Sequence, residues 1–214
     1  MNTRLFKMLR DSICEAGRMR DKEFYQKNGY VTALVNNVFS VKGLSYLELG
    51  LHTGVNHEHI ICRDKVSVDA NPDTNPTHCM TTDEFFKQNM RTFDLVFIDA
   101  SHEYHQVVTD FNNAVKITRI GVILHDMYPP AKELTTSDKC GDAYKLLYHL
   151  VKNTALLPLT LDTDCGLTVV PMPAFEVEPP AELDSLSYED FVYAMKEYHR
   201  YDLPSFLEVT RRFL

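Results

Sequence analysis

The pattern best suited to ligand binding is a glycine loop followed by an acidic residue. Gly50 and Gly54 stand four residues apart after an apolar segment. Gly50 allows a tight backbone turn, and Gly54 permits close approach to a ligand. Asp69 lies nineteen residues after Gly50, where an acidic side chain accepts hydrogen bonds from ribose hydroxyls. Glu48 adds a second carboxylate beside the loop, and two carboxylates suit a positively charged nucleoside better than a pyrophosphate.

The loop departs from the dinucleotide-binding fingerprint. Counted from Gly50, the pattern G-x-G-x-x-G requires glycine at positions 52 and 55, which hold His52 and Val55. A pyrophosphate would lack its close backbone contact there, which disfavours an NAD-dependent oxidoreductase. The sequence also contains no G-x-S-x-G elbow, which disfavours an α/β-hydrolase.

Further acids and imidazoles follow two later apolar segments. Asp99 and His102 stand three residues apart after the first, and His125 and Asp126 follow the second directly. A neutral imidazole is suited to accept a proton near neutral pH. Carboxylates together with an imidazole can also bind a divalent metal. Because open α/β sheets bind ligands at the carboxyl ends of their strands, we expect these residues at one edge of a sheet.

The segments that position these residues alternate between strand and helix patterns. Short apolar runs without polar alternation predict four parallel strands, buried on both faces, at 45–49, 65–69, 93–99 and 121–125. A helix is predicted over 83–90, with Thr82 as its N-cap. The clearest helix carries its apolar residues on one face: Tyr104, Val107, Val108, Phe111, Ala114 and Val115. This alternation predicts a doubly wound α/β sheet.

We assign the whole chain, residues 1–214, to a single domain. Residues 1–40 form a predicted helical preface, 41–170 the Rossmann-like core, and 171–214 a proline-rich linker with a C-terminal helix. Within the later core, the pattern predicts a loop at 132–139, a helix at 141–151 and strands at 157–161 and 166–170. His57 and His59 are predicted at the surface.

Composition excludes several classes of protein. The chain has 214 residues, 44% of them hydrophobic and 24% charged, which is ordinary for a globular protein. The formal net charge of −8 disfavours nonspecific binding of nucleic acid or of an anionic membrane. The N-terminus has no apolar run like that of a signal peptide, so we expect a cytoplasmic protein. Five widely spaced cysteines without a C-x-x-C pair predict reduced, buried thiols.

In order, these motifs resemble those of class I S-adenosylmethionine-dependent methyltransferases. Glu-x-Gly-x-x-x-Gly at 48–54 and the acid at Asp69 are similar to their first two motifs. Further similar segments are 80–86, 93–104 and 121–126, and the resemblance covers about residues 30–170. Related small bacterial O-methyltransferases include enzymes of the catechol O-methyltransferase type and others acting on glycans or natural products. The resemblance implies a Rossmann-like, mostly parallel, seven-stranded sheet.

The resemblance also implies roles for individual residues. Gly50 and the neighbouring backbone should hold the methionine part of S-adenosylmethionine, and Asp69 its ribose. Thr82 and Asp83 should lie near the adenine, and Asp99 near the methionine amino group or a metal. The full expected cofactor set is Glu48, Gly50, His52, Gly54, Asp69, Thr82, Asp83 and Asp99.

In the metal-dependent relatives, the segments after strands four and five carry the metal ligands and a base. Applied to this sequence, the resemblance implies two catalytic residues, His102 and Asp99. His102 would act as the base or contact the acceptor. The metal set is Asp99, His125 and Asp126, with Mg or Mn as the cation. The alternative is that His125 and Asp126 only line the acceptor pocket.

The resulting hypothesis is O-methylation of a small hydroxylated acceptor such as a sugar or glycan precursor. The alternative is a non-catalytic protein of the same fold that binds S-adenosylmethionine or S-adenosylhomocysteine. No nucleic-acid or membrane partner is expected. The aromatic C-terminal segment could pack on this domain or on a second subunit, so a homo-oligomer is one possible state.

Overall fold

The computed structural model describes residues 43–62, 64–153, 155–162 and 165–202. The predicted helical preface at 1–40 and the segment 206–214 lie outside these ranges. No helix within the described ranges is long and apolar enough to cross a bilayer.

Seven strands form one sheet in the order β3-β2-β1-β4-β5-β7-β6. β1 to β5 run parallel, whereas β7 is antiparallel to both β5 and β6. The strands are β1 Ser45–Leu49, β2 Asp64–Asp69, β3 His78–Cys79, β4 Phe93–Ile98, β5 Thr118–Leu124, β6 Leu159–Leu161 and β7 Leu167–Pro171. The predicted mostly parallel, seven-stranded sheet is therefore confirmed.

Helices connect the strands, as the alternation predicts. They are α1 Val55–His59, α2 Thr82–Gln88, α3 Tyr104–Ile117, α4 Tyr144–Lys152 and α5 Tyr188–Ala194. The apolar face of α3 is buried against the sheet together with residues of α4 and α5. A second buried cluster includes Tyr46, Leu95, Phe97 and Ile123, whose side chains alternate along their strands with those of the first.

Some boundaries differ from the predictions. β5 begins at Thr118 rather than at 121, because the residues directly after α3 already pair with β4. The N-cap of α2 is Thr81, not Thr82: its hydroxyl accepts from the Glu84 N–H, and the Glu84 carboxylate accepts in return from the Thr81 N–H. A 3₁₀ turn, Lys132–Leu134, lies within the predicted loop.

Candidate functional site

Two adjoining cavities open at the carboxyl ends of the parallel strands. The β2-side cavity measures about 360 Å³ and is lined by residues that include Gly50, Asp69, Met80, Thr82, Asp83 and Gln106. The β5-side cavity measures about 590 Å³ and is lined by residues that include Asp99, His102, His125, Asp126, Cys140 and Cys165. Gly50, Asp69 and Ala100 line both cavities, so the two meet above the ends of β1 and β4.

Gly50 occupies a position that only glycine tolerates. Its φ is +86°, and a Cβ atom there would overlap the Asp99 carbonyl. The Gly50 N–H donates to Val68 O (2.9 Å), and the Asp99 N–H donates to Leu49 O (2.8 Å). The loop after β1 therefore stays tied to both neighbouring strands until it reaches the cavities.

Asp69 organises the backbone of the glycine loop. Its Oδ2 accepts from the N–H groups of Leu51 (2.8 Å) and His52 (3.3 Å), and its Oδ1 accepts from Asn71 N–H (2.8 Å). A carboxylate offers about four lone-pair sites, so it can accept a further hydrogen bond from a ligand. Asp69 and His52 therefore line the β5-side cavity, where they could contact a ligand. Asp69 also lines the β2-side cavity.

Glu48 lies beneath the glycine loop instead of facing a ligand. Its buried carboxylate accepts from the Tyr46 hydroxyl (3.1 Å) and lies 3.3 Å from His57 Nδ1. Burial raises the pKa of Glu48, and the contacts with His57 and Tyr46 oppose that rise. Neither Glu48 nor Gly54 is among the described residues lining the two cavities, so the geometry does not support either as a cofactor contact.

The surface prediction for His57 is wrong, because its side chain packs over Glu48 and is only 17% exposed. Gly54 precedes α1 with a φ of +75°, and its N–H donates to Leu51 O (2.7 Å). His57 and Gly54 therefore stabilise the glycine loop on the side away from the cavities.

A polar network behind the β2-side cavity centres on Gln106. Its Nε2 donates to Thr82 Oγ1 (3.3 Å), Asp83 Oδ1 (3.2 Å) and Asp110 Oδ1 (3.2 Å). Asp110 is fully buried, and its Oδ2 has no hydrogen-bond partner among the described residues. Burial raises the pKa of Asp110 to about 6. Neither Gln106 nor Asp110 was predicted as a site residue, although Asp110 stands on the apolar face of α3, where an acid is unusual.

The β5-side cavity contains a cluster of two histidines and two aspartates. His102 Nε2 lies 3.3 Å from Asp126 Oδ2 and 3.6 Å from Asp99 Oδ1. His125 Nδ1 lies 3.2 Å from Asp126 Oδ1 and 3.4 Å from Asp99 Oδ1. The structure therefore brings together all four residues that the sequence singled out after β4 and β5.

The contacts within this cluster change its proton affinities. Burial alone would raise the pKa of Asp99, but hydrogen bonds and charge from His102 and His125 outweigh it and lower that pKa to about 2. The hydrogen bond with Asp99 raises the pKa of His102, with a further contribution from the charge of Asp126. The lowered pKa keeps the Asp99 carboxylate ionised, and the raised pKa makes the His102 imidazole more basic.

The backbone of His102 is clamped by the segment before α4. His102 O accepts from Asp142 N–H (3.0 Å), and Asp142 Oδ1 accepts from Tyr104 N–H (2.7 Å) at the start of α3. Gly141 has a φ of +56° and lies so close to His102 that a Cβ atom would overlap its carbonyl oxygen. Asp142 also pairs with Lys145 (2.9 Å).

Two cysteines complete the wall of the β5-side cavity. Cys140 is buried and Cys165 is half-buried. Burial raises the pKa of the Cys140 thiol, and contacts with Asp126 and Cys165 raise it further. Both thiols were predicted only as buried and reduced. Their meeting at the cavity was missed, because they belong to segments twenty-five residues apart.

Asp126 belongs to two overlapping groups of candidate metal ligands. Asp99, His125 and Asp126 each offer one donor atom, and these atoms lie within 4.8 Å of one another. Asp126, Cys140 and Cys165 meet the same condition. The first group offers two carboxylates and an imidazole, a donor set that fits Mn²⁺ and accommodates Mg²⁺.

Comparison with known proteins agrees with the geometry. Residues 42–126 match a family model described as a methyltransferase domain. The fold is similar to that of cofactor-bound Rv0187 from MTB, with 15% identity, a TM-score of 0.52, and coverage of 77% of this chain and 89% of that chain. It is also similar to a putative caffeoyl-CoA O-methyltransferase from Staphylococcus aureus, with 15% identity, a TM-score of 0.51, and coverage of 74% and 96%.

A third similar structure is the S-adenosylhomocysteine-bound methyltransferase PaMTH1 from Podospora anserina, with 14% identity, a TM-score of 0.50, and coverage of 75% and 87%. At such identities the likeness shows the fold. A search of curated proteins gives no significant match. Residues 42–126, which include β1 to β5, thus match a methyltransferase domain, and the seven-stranded sheet has the fold of the similar structures.

Proposed function

We propose that the protein transfers a methyl group from S-adenosylmethionine to a hydroxyl of a small neutral acceptor such as a sugar or glycan precursor. The observation that carries this proposal is the junction of the two cavities. A nucleoside-type cavity with Asp69 meets a cavity holding a histidine–aspartate cluster, and Gly50 lies between them. Such a junction brings the two reactants together, which is the main contribution an enzyme makes to methyl transfer.

The β2-side cavity fits the adenosyl part of the cofactor. Asp69 accepts a hydrogen bond from a ribose hydroxyl through the lone pair that the loop leaves available. Thr82, Asp83 and Gln106 offer polar atoms to the adenine. Gly50 lines both cavities, so its backbone lies where the methionine part would pass between them. When bound, S-adenosylmethionine supplies an electrophilic methyl group.

His102 acts as the general base for the acceptor. In its neutral form, the imidazole accepts, through its unprotonated ring nitrogen, the proton that the acceptor hydroxyl loses as its oxygen bonds to the methyl carbon. Asp99 and Asp126 both lie near Nε2 of the imidazole, at 3.6 and 3.3 Å, and stabilise the positive charge that the ring gains. Because these carboxylates raise the pKa of His102, the neutral form requires a more alkaline pH than an isolated histidine would.

A divalent cation such as Mg²⁺ or Mn²⁺ fits Asp99, His125 and Asp126. It would supply Lewis-acid polarisation of the acceptor hydroxyl. The alternative role of His125 and Asp126 is to line the acceptor pocket through hydrogen bonds alone.

Charge supports a neutral, hydroxyl-bearing acceptor. The described lining of the β5-side cavity includes three aspartates, and Lys139 is its one residue with a permanent positive charge. Carboxylates and imidazoles accept hydrogen bonds from hydroxyls, whereas three carboxylates repel an anionic acceptor.

Calorimetry of the full chain with S-adenosylhomocysteine tests the cofactor assignment. We expect micromolar affinity for S-adenosylhomocysteine and none for NAD, the control ligand. Repeating the titration with Mg²⁺ and Mn²⁺ tests the metal group. A folded sample that does not bind S-adenosylhomocysteine would refute the assignment.

An acceptor screen then separates the enzyme from its alternative. Neutral sugars and sugar phosphates are compared for release of S-adenosylhomocysteine from S-adenosylmethionine. Turnover with the neutral compounds supports the proposal. The alternative, a non-catalytic binding protein, is favoured by the way in which the two histidines and two aspartates pair with one another. Any defined methylated product rules it out.

A further inference from the structure

We propose that Asp126, Cys140 and Cys165 form a site for a thiophilic divalent cation of the Zn²⁺ type. One carboxylate oxygen and two sulfur atoms lie within 4.8 Å of one another, and all three residues line the β5-side cavity. This donor set differs in chemistry from the group of Asp99, His125 and Asp126, with which it shares only Asp126. The proposal does not depend on the proposed methyl transfer.

The distances suit a metal of this size. Zn²⁺ binds sulfur at about 2.3 Å and carboxylate oxygen at about 2.1 Å, so tetrahedral coordination sets the two sulfurs about 3.8 Å apart. The three donors therefore need to converge by no more than about 1 Å. The Cys140 thiol is already close enough to Asp126 and Cys165 for both to raise its pKa.

The backbone holds the cysteines in place. Cys140 N–H donates to Leu134 O (2.9 Å), and the following residue, Gly141, is fixed against His102. Cys165 has a φ of +57°, and its carbonyl accepts from Tyr128 N–H (2.8 Å), two residues after Asp126. Because the ligands are already positioned, binding requires little rearrangement.

Ligand chemistry sets the selectivity. Thiolates favour Zn²⁺ and related cations over Mg²⁺ and Mn²⁺, which prefer oxygen ligands. Three protein ligands leave a fourth position for water or another small donor, and that position lies on the cavity side. Since both groups use Asp126, a cation at the two sulfurs competes with one held by Asp99 and His125.

Co²⁺ provides a direct readout, because it replaces Zn²⁺ and gives a sulfur-to-metal charge-transfer band in the near ultraviolet. We would titrate Co²⁺ into the reduced full-length protein under anaerobic conditions, without S-adenosylmethionine. The expected result is a charge-transfer band and tetrahedral visible bands that saturate at one equivalent. Zn²⁺ should abolish both, whereas excess Mg²⁺ should not.

Substitution of the cysteines tests whether their sulfur atoms give rise to the charge-transfer band. Cys140→Ser and Cys165→Ser should each weaken the band and lower Co²⁺ affinity at least about tenfold, whereas Cys79→Ser, at the exposed end of β3, should match the wild type. Asp99→Asn, which alters only the other group, should keep the band. If buried Cys140→Ser fails to fold by circular dichroism, half-buried Cys165→Ser carries the test. Absence of the band, or its full retention in Cys165→Ser, would overturn the proposal.

Discussion

The two cavities at the sheet edge are built in different ways. The β2-side cavity is formed mainly by short segments that directly follow β1, β2 and β3, and its shape depends on backbone turns at Gly50 and Asp69. The β5-side cavity adds side chains from the 132–142 segment and from Cys165 to the residues that follow β4 and β5. The first therefore reflects local sequence, and the second reflects long-range packing. We expect substitutions in the first to alter binding and substitutions in the second to alter chemistry.

The largest expected effect is on turnover in the β5-side cavity. His102→Ala removes the proposed base, and general-base catalysis is worth about 100- to 10,000-fold in rate. We expect about a thousandfold loss of methyl transfer, measured with the acceptor found in the screen. Affinity for S-adenosylhomocysteine should change less than about threefold, because the β2-side cavity is untouched.

His105→Ala is the matched control for His102→Ala. His105 is the second residue of α3, is exposed, and pairs with Asp184 (3.0 Å). Its removal should leave turnover near the wild-type rate. Full turnover in His102→Ala would reject the base assignment.

Asp69→Ala should have the converse effect, on cofactor binding. It removes the proposed acceptor for the ribose and the anchor for the N–H groups of Leu51 and His52. Hydrogen bonds to a charged group contribute about 1.5–3 kcal/mol each, so we expect several hundredfold weaker binding of S-adenosylhomocysteine by calorimetry. The exposed Asp73, in the turn after β2, provides the control variant Asp73→Ala. Unchanged affinity in Asp69→Ala would contradict the role.

Asp110 should make stability depend on pH behind the β2-side cavity. Its pKa is raised from 3.8 to about 6 in the folded protein, so the native state keeps a proton that the unfolded state loses between these values. The free energy of unfolding therefore falls as pH rises from about 4 to 7, by up to about 3 kcal/mol from this residue.

Asp110→Asn removes that titration while keeping a side chain of similar shape. Urea unfolding at pH 4.5 and pH 7.5 should show that the variant gains stability relative to the wild type as the pH rises. If the difference in free energy of unfolding between wild type and variant were the same at both pH values, Asp110 would be ionised in the folded state.

The smallest expected effect is at the start of α2. Thr81→Ala removes the side-chain acceptor of the capping box and should lower the free energy of unfolding by about 1 kcal/mol. The exposed Thr109, within α3, provides the comparison variant Thr109→Ala, for which we expect a change below about 0.5 kcal/mol. Equal effects in the two variants would show that the cap contributes little.

Sequence reasoning succeeded where local pattern determines structure. The continuous apolar runs identified four parallel strands because strands buried on both faces need no polar alternation. The sequence also contains the signature of the correct capping box, Thr81-x-x-Glu84. Thr82 does not fit this signature, because the residue three positions later is Phe85, which cannot complete the box. That error was therefore avoidable.

Other features could not be predicted from local pattern. The orientation of Glu48 beneath the loop depends on His57 and Tyr46, which approach it from α1 and along β1. The meeting of Cys140 and Cys165 depends on how the segment before α4 and the turn before β7 pack beside Asp126. Such contacts arise from tertiary packing, and no spacing rule in one sequence indicates them.

The close approach of Gly141 to His102 has a consequence for how acceptor specificity can change. The segment 132–139 forms part of the cavity wall, but the chain is fixed again at Gly141 before α4 begins. Insertions or deletions within that segment can reshape the wall while the position of His102 stays the same. If His102 is the base, the clamp separates the segment that would select an acceptor from the residue that would perform the reaction. New acceptors would then become accessible to evolution or engineering without rebuilding the base.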